Sequence, residues 1–152
     1  WRISRPLFGV SFSSALLVTT VASGVLVPLA LFRTHPPHQA GHITVLLSPT
    51  SHMMHLTNTA QMLCDVWLSQ DRTMRVADLP YSIGWLLLYG LFEWCWYART
   101  GMWHYPFLDH GRPFSSLMHG GLFAVFVAYW WAGSKLCAVV SSRGEDQREK
   151  VE

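Results

Sequence analysis

From Pro6 to Phe32 the chain carries no charged residue. About 20 residues of helix, at about 1.5 Å each, cross the hydrocarbon of a bilayer, so this run is long enough with residues to spare. Leu79–Phe92 is also uncharged and continues as an apolar run past Glu93 to Tyr97. Pro113–Ser134 is a third such run, and Lys135 just beyond it can snorkel from a longer helix. A fourth segment, roughly Val45–Leu68, is marginal because polar groups interrupt it. The pattern predicts an all-α polytopic membrane helix bundle with four spans, at about 6–32, 45–68, 79–97 and 113–140. No period-two alternation supports a β-barrel, and there are no internal repeats. Residues 141–152, "SSRGEDQREKVE", are charged and without apolar periodicity, which predicts a disordered or frayed tail.

Composition agrees with this reading. Only 13% of the residues are charged, against about 25% in soluble globular chains. A net charge of +2 offers no basic field for nucleic acid, so no nucleic-acid partner is expected, and the apolar runs make the bilayer the expected surroundings. Cys64, Cys95 and Cys137 all fall inside apolar segments, which predicts buried thiols rather than a disulfide or zinc framework. The chain opens on Trp1 and shows no signal-peptide pattern, so a fragment or processed chain is expected.

The basic residues set an orientation. If all four segments span, Arg2, Arg5, Arg72, Arg75, Arg143, Arg148 and Lys150 share one side, and Arg33, Arg99 and Arg112 the other. The excess places both ends in the cytosol. Two small-residue stripes, Ser11/Ala15/Thr19/Ser23 and Gly120/Ala124/Ala128/Ala132, are expected to be helix-packing faces. Pro28 is expected to kink the first helix.

The marginal span holds the chemistry. On a helix at 100° per residue, His52, His55, Asn58, Thr59 and Asp65 gather within an arc of about 140°. Met53, Leu56, Ala60, Leu63, Cys64 and Trp67 take the opposite arc. Such a face avoids lipid either by turning into the bundle or by lying flat at the interface. An interfacial helix usually carries Lys or Arg on its polar face, and none occurs between Arg33 and Arg72. That favours a buried face, where ionisable groups are functional candidates or interhelical polar glue. Histidine is the usual general base near neutral pH. His52 and His55 could also share a metal or haem, but no third ligand follows at motif spacing. No metal site and no cofactor is implied. The spacing yields a base in a membrane pocket, without a reaction. A second stretch, "RTGMWHYPFLDHGRPF" (99–114), reads either as an interfacial aromatic belt or as a loop capping a lipid pocket. Glu93 just before it is placed to meet either Arg99 or a histidine.

Together these stretches resemble a known family. "ARTGMWHYPFLDH" (98–110) resembles the signature loop of the androgen-induced protein family, which includes the androgen-dependent regulator of tissue factor pathway inhibitor. "SHMMHLTNT" (51–59) is similar to that family's histidine-bearing helix, and "LFEWCWYARTGMW" to its aromatic helix. The resemblance runs from about Arg5 to Val140. It implies a six-pass endomembrane or plasma-membrane protein with cytosolic ends, of which this chain carries the last four helices. It implies a threonine hydrolase of fatty acid esters of hydroxy fatty acids. His55 matches the family's base, with His52, Trp103 and Tyr105 expected to line or orient the substrate. The nucleophilic Thr belongs to an upstream segment that nothing in Trp1–Phe32 matches; Thr19 and Thr20 do not take its place. The chain alone is therefore expected to be inactive. His104, Asn58 and Asp65 depart from the family pattern and put substrate preference in question. The alternative is a non-enzymatic lipid-binding or regulatory membrane protein.

Overall fold

The computed structural model describes residues 4–28, 48–69, 73–105, 108–111 and 113–149. Those residues form four helices and no strand: α1 Ser4–Val21, α2 Pro49–Leu68, α3 Leu79–Thr100 and α4 Ser115–Glu149. The histidine-rich stretch 33–42 and Arg112 lie outside the described residues. Two of the helices, Ser4–Leu26 and Ser115–Gly144, are long and apolar enough to cross a membrane. In α3 the many Trp and Tyr side chains, which favour the membrane interface, lower the mean hydropathy. In α2 the polar arc does so.

Each helix end has a local cause. Ser48 accepts a bond from the Ser51 backbone N–H at 3.2 Å, and Pro49 takes the first helical position of α2, where its missing donor costs nothing. α3 stops at Gly101, whose φ of 69° suits a residue without Cβ. Its N–H reaches the Tyr97 carbonyl at 2.8 Å. Pro28 leaves α1 helical, preceded by a π-turn at Ala22–Leu26 in which the Val27 N–H bonds the Ala22 carbonyl. This wider turn answers the clash a proline ring makes with the carbonyl four residues back.

α1 is the hub and packs on each of the other three helices. Phe8, Phe12, Val66, Met74, Trp130, Cys137 and Val140 make the core, around the N-terminal half of α1. The connection from α2 to α3 folds beneath the start of α1. There the buried Asp78 carboxylate takes Arg5 Nε at 2.8 Å and Nη2 at 3.3 Å, and the Arg75 backbone N–H at 3.2 Å. The α1–α4 seam is reciprocal, large side chain on glycine. Trp130 lies against Gly9, where an added Cβ would meet the indole nitrogen at 3.0 Å. Phe12 lies against Gly133, where an added Cβ would meet the ring at 2.7 Å.

Three expectations need correction. Gly120, Ala124, Ala128 and Ala132 are all exposed, so that stripe does not pack on α1, α2 or α3. The buried face is Phe126, Trp130, Gly133, Cys137, Val140 and Gly144, alternating steps of four and three, the spacing of a left-handed seam. On α1, only Ala15 and Thr19 of the expected stripe bond α2; Ser11 and Ser23 are exposed. Second, α4 runs on through Glu149 rather than fraying near residue 140. No proline interrupts "SSRGEDQRE", and its Glu, Gln and Arg are good helix formers. Third, of the cysteines only Cys137 is buried; Cys64 and Cys95 look outward from α2 and α3.

Candidate functional site

α2 is amphipathic in the reverse sense of a soluble helix. Its apolar arc, Met53, Leu56, Ala60, Leu63, Cys64 and Trp67, is exposed throughout. On the polar arc His52, His55, Thr59 and Asp65 are half-buried. Thr59 meets α1, its hydroxyl 2.8 Å from that of Thr19 and 3.2 Å from the Ala15 carbonyl. Thr19 in turn reaches the His55 carbonyl at 2.8 Å. With one proton each, the two hydroxyls can make two of these three bonds at a time across the seam. Thr19 and Thr59 act as interhelical glue, and Thr19 touches the backbone of His55. Asp65 turns to the helix end, where Ser69 Oγ donates to it at 3.1 Å. Asn58 stays exposed and opens a groove of about 300 Å³ between α1 and α2, lined also by Ser11, Ser14, Ala15, Val18, Gln61 and Met62.

Beyond α3 the loop folds back as an aromatic cap. Trp103 stacks on Tyr97, centroids 4.3 Å apart and 10° from parallel, and meets Trp94 edge-on. His104 lies against both Phe92 and Trp96, at 5.9 and 4.6 Å. Its Nδ1 is 3.1 Å from Oε2 of Glu93, a residue only 2% exposed, and Tyr89 donates to Oε1 at 2.7 Å. Glu93 therefore takes up His104 and Tyr89, and not Arg99. Burial, and then the nearby Glu93 carboxylate, push the Tyr105 phenol above its ordinary value. The cap holds Trp103 and Tyr105 firmly, as side chains packed on α3.

A third cluster sits where α4 begins. Ser115, 5% exposed, has its hydroxyl 3.4 Å from His110 Nδ1 and 3.3 Å from His119 Nδ1. The two imidazoles stack at 4.7 Å and 13°. His110 is also flanked by Trp94 at 4.7 Å and Trp103 at 5.3 Å.

The four residues singled out from sequence thus sit in two places: His52 and His55 on the α1–α2 side, Trp103 and Tyr105 in the cap on α3. Sequence reasoning left Glu93 and His104 unassigned as a pair and passed over Ser115, His110 and His119. The signal for the last group was a Ser and a His four residues apart at a helix start, which places them on one face. No family model, no curated protein and no solved structure matches the chain.

Proposed function

We propose that this chain is the four-helix, C-terminal part of a six-span membrane hydrolase of fatty acid esters of hydroxy fatty acids. Both ends face the cytosol, in an endomembrane or the plasma membrane. The observation that carries the reading is the inverted exposure of α2. Its apolar arc faces outward as lipid requires, its histidine-bearing arc turns toward α1, and a groove opens at Asn58, one turn from His55. Large exposed apolar side chains on α3, among them Trp85, Leu87, Leu88, Leu91 and Trp94, are costly in water and expected in lipid. The resemblance in residues 51–59 and 98–110 supplies the reaction class. In that mechanism a Thr hydroxyl from the upstream segment attacks the ester carbonyl. His55 takes the proton and returns it to the departing alcohol. The groove is the place for the ester and the incoming helix. His52, Trp103 and Tyr105 act as orienting or lining groups once the remaining helices close the bundle.

The test supplies the missing part. The chain is joined to the upstream Thr-bearing segment of a family member, and hydrolysis of a fatty acid ester of a hydroxy fatty acid is followed in vesicles. His55→Ala is expected to lower turnover by roughly 100-fold or more with membrane insertion unchanged, and His52→Ala to lower it less. Full turnover in the His55 variant would end the assignment. Copurifying lipid that is never turned over would favour the alternative, a lipid-binding or regulatory membrane protein, for which the same groove is the candidate seat.

A further inference from the structure

We propose that Ser115 is a nucleophile in its own right, with His110 as its base, forming a serine ester-hydrolysing centre at the start of α4 that does not depend on His55.

The protons around Ser115 can be assigned. His119 Nδ1 lies 2.7 Å from the Ser115 carbonyl oxygen, which can only accept, so this nitrogen carries a proton. The same N–H is 3.3 Å from Ser115 Oγ, and the hydroxyl cannot donate back to it. The Ser115 proton is then directed at the other neighbour, His110 Nδ1, 3.4 Å away. That nitrogen holds the lone pair, and the His110 proton sits on Nε2. The His119 N–H is held by the Ser115 carbonyl, and the Oγ–H points to His110, whose ring is placed to take that proton. The 3.4 Å separation is loose, as catalytic contacts in unliganded enzymes often are.

Two features support nucleophilic rather than merely structural use. The His110 ring is held by Trp94, Trp103 and His119, so its approach to Oγ is fixed by packing. Ser115 is also the first residue of α4, after which the helix closes with Met118 N–H on the Phe114 carbonyl at 2.9 Å. The N–H groups of Ser116 and Leu117 belong to this first turn and lie at the positive end of the helix. They are the donors an oxyanion beside Ser115 would use.

The reaction balances without a co-reactant other than water. Oγ bonds the acyl carbon of a carboxylic ester as its proton passes to His110. The carbon–alkoxy bond breaks and the alcohol leaves with that proton, giving acyl-Ser115. Water then attacks the acyl carbon and gives a proton to His110. The carboxylic acid departs as the proton returns to Oγ. The aromatic surroundings favour an ester with an apolar acyl group.

The test uses residues 1–152 in detergent micelles and a fluorescent fluorophosphonate, which phosphonylates an activated hydroxyl with loss of fluoride. Labelling at Ser115, mapped by peptide mass, is expected, with none in Ser115→Ala. His110→Gln is expected to slow labelling roughly 100-fold or more. His55→Ala is expected to label at the unaltered rate, which keeps this centre distinct from the one under Proposed function. Far-ultraviolet circular dichroism confirms that each variant is folded. No labelling of the folded chain, labelling that survives Ser115→Ala, or labelling that fails with His55 and not with His110 would overturn the proposal.

Discussion

The two ends of the bundle are built on different principles. At the end that holds the N-terminus of α1, large side chains fill glycine-sized gaps, and Phe12, Val66 and Trp130 are all but sealed. At the other end Ser51, Glu93 and Ser115 are buried alongside Ala22 and Leu108, and aromatic rings stack on one another near the surface. The first end is held mainly by volume, with one buried ion pair at Asp78, and the other mainly by hydrogen bonds and ring contacts. The difference separates stability from chemistry. Every histidine of the two candidate centres lies at the loosely packed end, so altering them leaves the core of α1 and α4 in place.

The largest effect is expected at Trp130. In lipid the transfer from water drops out, and what is lost is the contact with Gly9 and packing within the core cluster. Trp130→Ala is expected to cost about 2–4 kcal/mol, in the lower part of the range for large-to-small core changes. The loss is read as a lower unfolding midpoint in detergent, while fluorophosphonate labelling of the surviving folded protein is retained. Equal stability of wild type and variant would mean that the sealed end is not where the fold is held.

Gly133 sharpens the contrast on a single helix. Its Cβ would meet the Phe12 ring at 2.7 Å and Met74 Sδ at 3.1 Å, and both neighbours are buried. Gly133→Ala is expected to destabilise by about 1–3 kcal/mol. Ala128→Leu, on the exposed stripe five residues away, should stay within about 0.5 kcal/mol of wild type. Comparable losses in both would restore the small-residue stripe as the seam.

The smallest effect has the opposite sign. At the sealed end Ser13 Oγ, Ser82 Oγ and Trp130 Nε1 are buried and make no hydrogen bond among the described residues. Burying an unmatched hydroxyl costs about 1–3 kcal/mol. Ser82→Ala is therefore expected to stabilise by about 1 kcal/mol in the same unfolding measurement. A destabilised Ser82 variant would show that its hydroxyl is bonded after all.

Much of this could be read from the sequence, and the misses have physical causes. Uncharged runs located α1, α3 and α4, and 100° periodicity found the polar arc of α2, because burial acts directly on residue type. The seam of α4 was missed because small residues every four positions form a conspicuous pattern. The true row mixes Phe126, Trp130 and Cys137 with Gly133, and only the partner helix decides which row is covered. Ser115 with His110 and His119 was hidden for a related reason. His119 is a local i to i+4 neighbour, but His110 arrives through a loop, and only the fold brings it back to the helix start. Glu93 was flagged toward Arg99 or the histidines without His104 being named, and the folded loop brings His104 to it.

Because Phe12 must close over Gly133, the hub helix cannot finish its packing until 121 further residues have been made. At about 5–20 residues per second of synthesis, that leaves α1 waiting on the order of 6–24 s, its seam glycine and its two phenylalanines uncovered. During that interval the Arg5 guanidinium can already meet Asp78, 73 positions along, well before α4 emerges. The ion pair can therefore form before the core does. In the growing chain it would act as a placeholder, keeping α1 aligned with the α2–α3 connection until the last helix arrives to cover it.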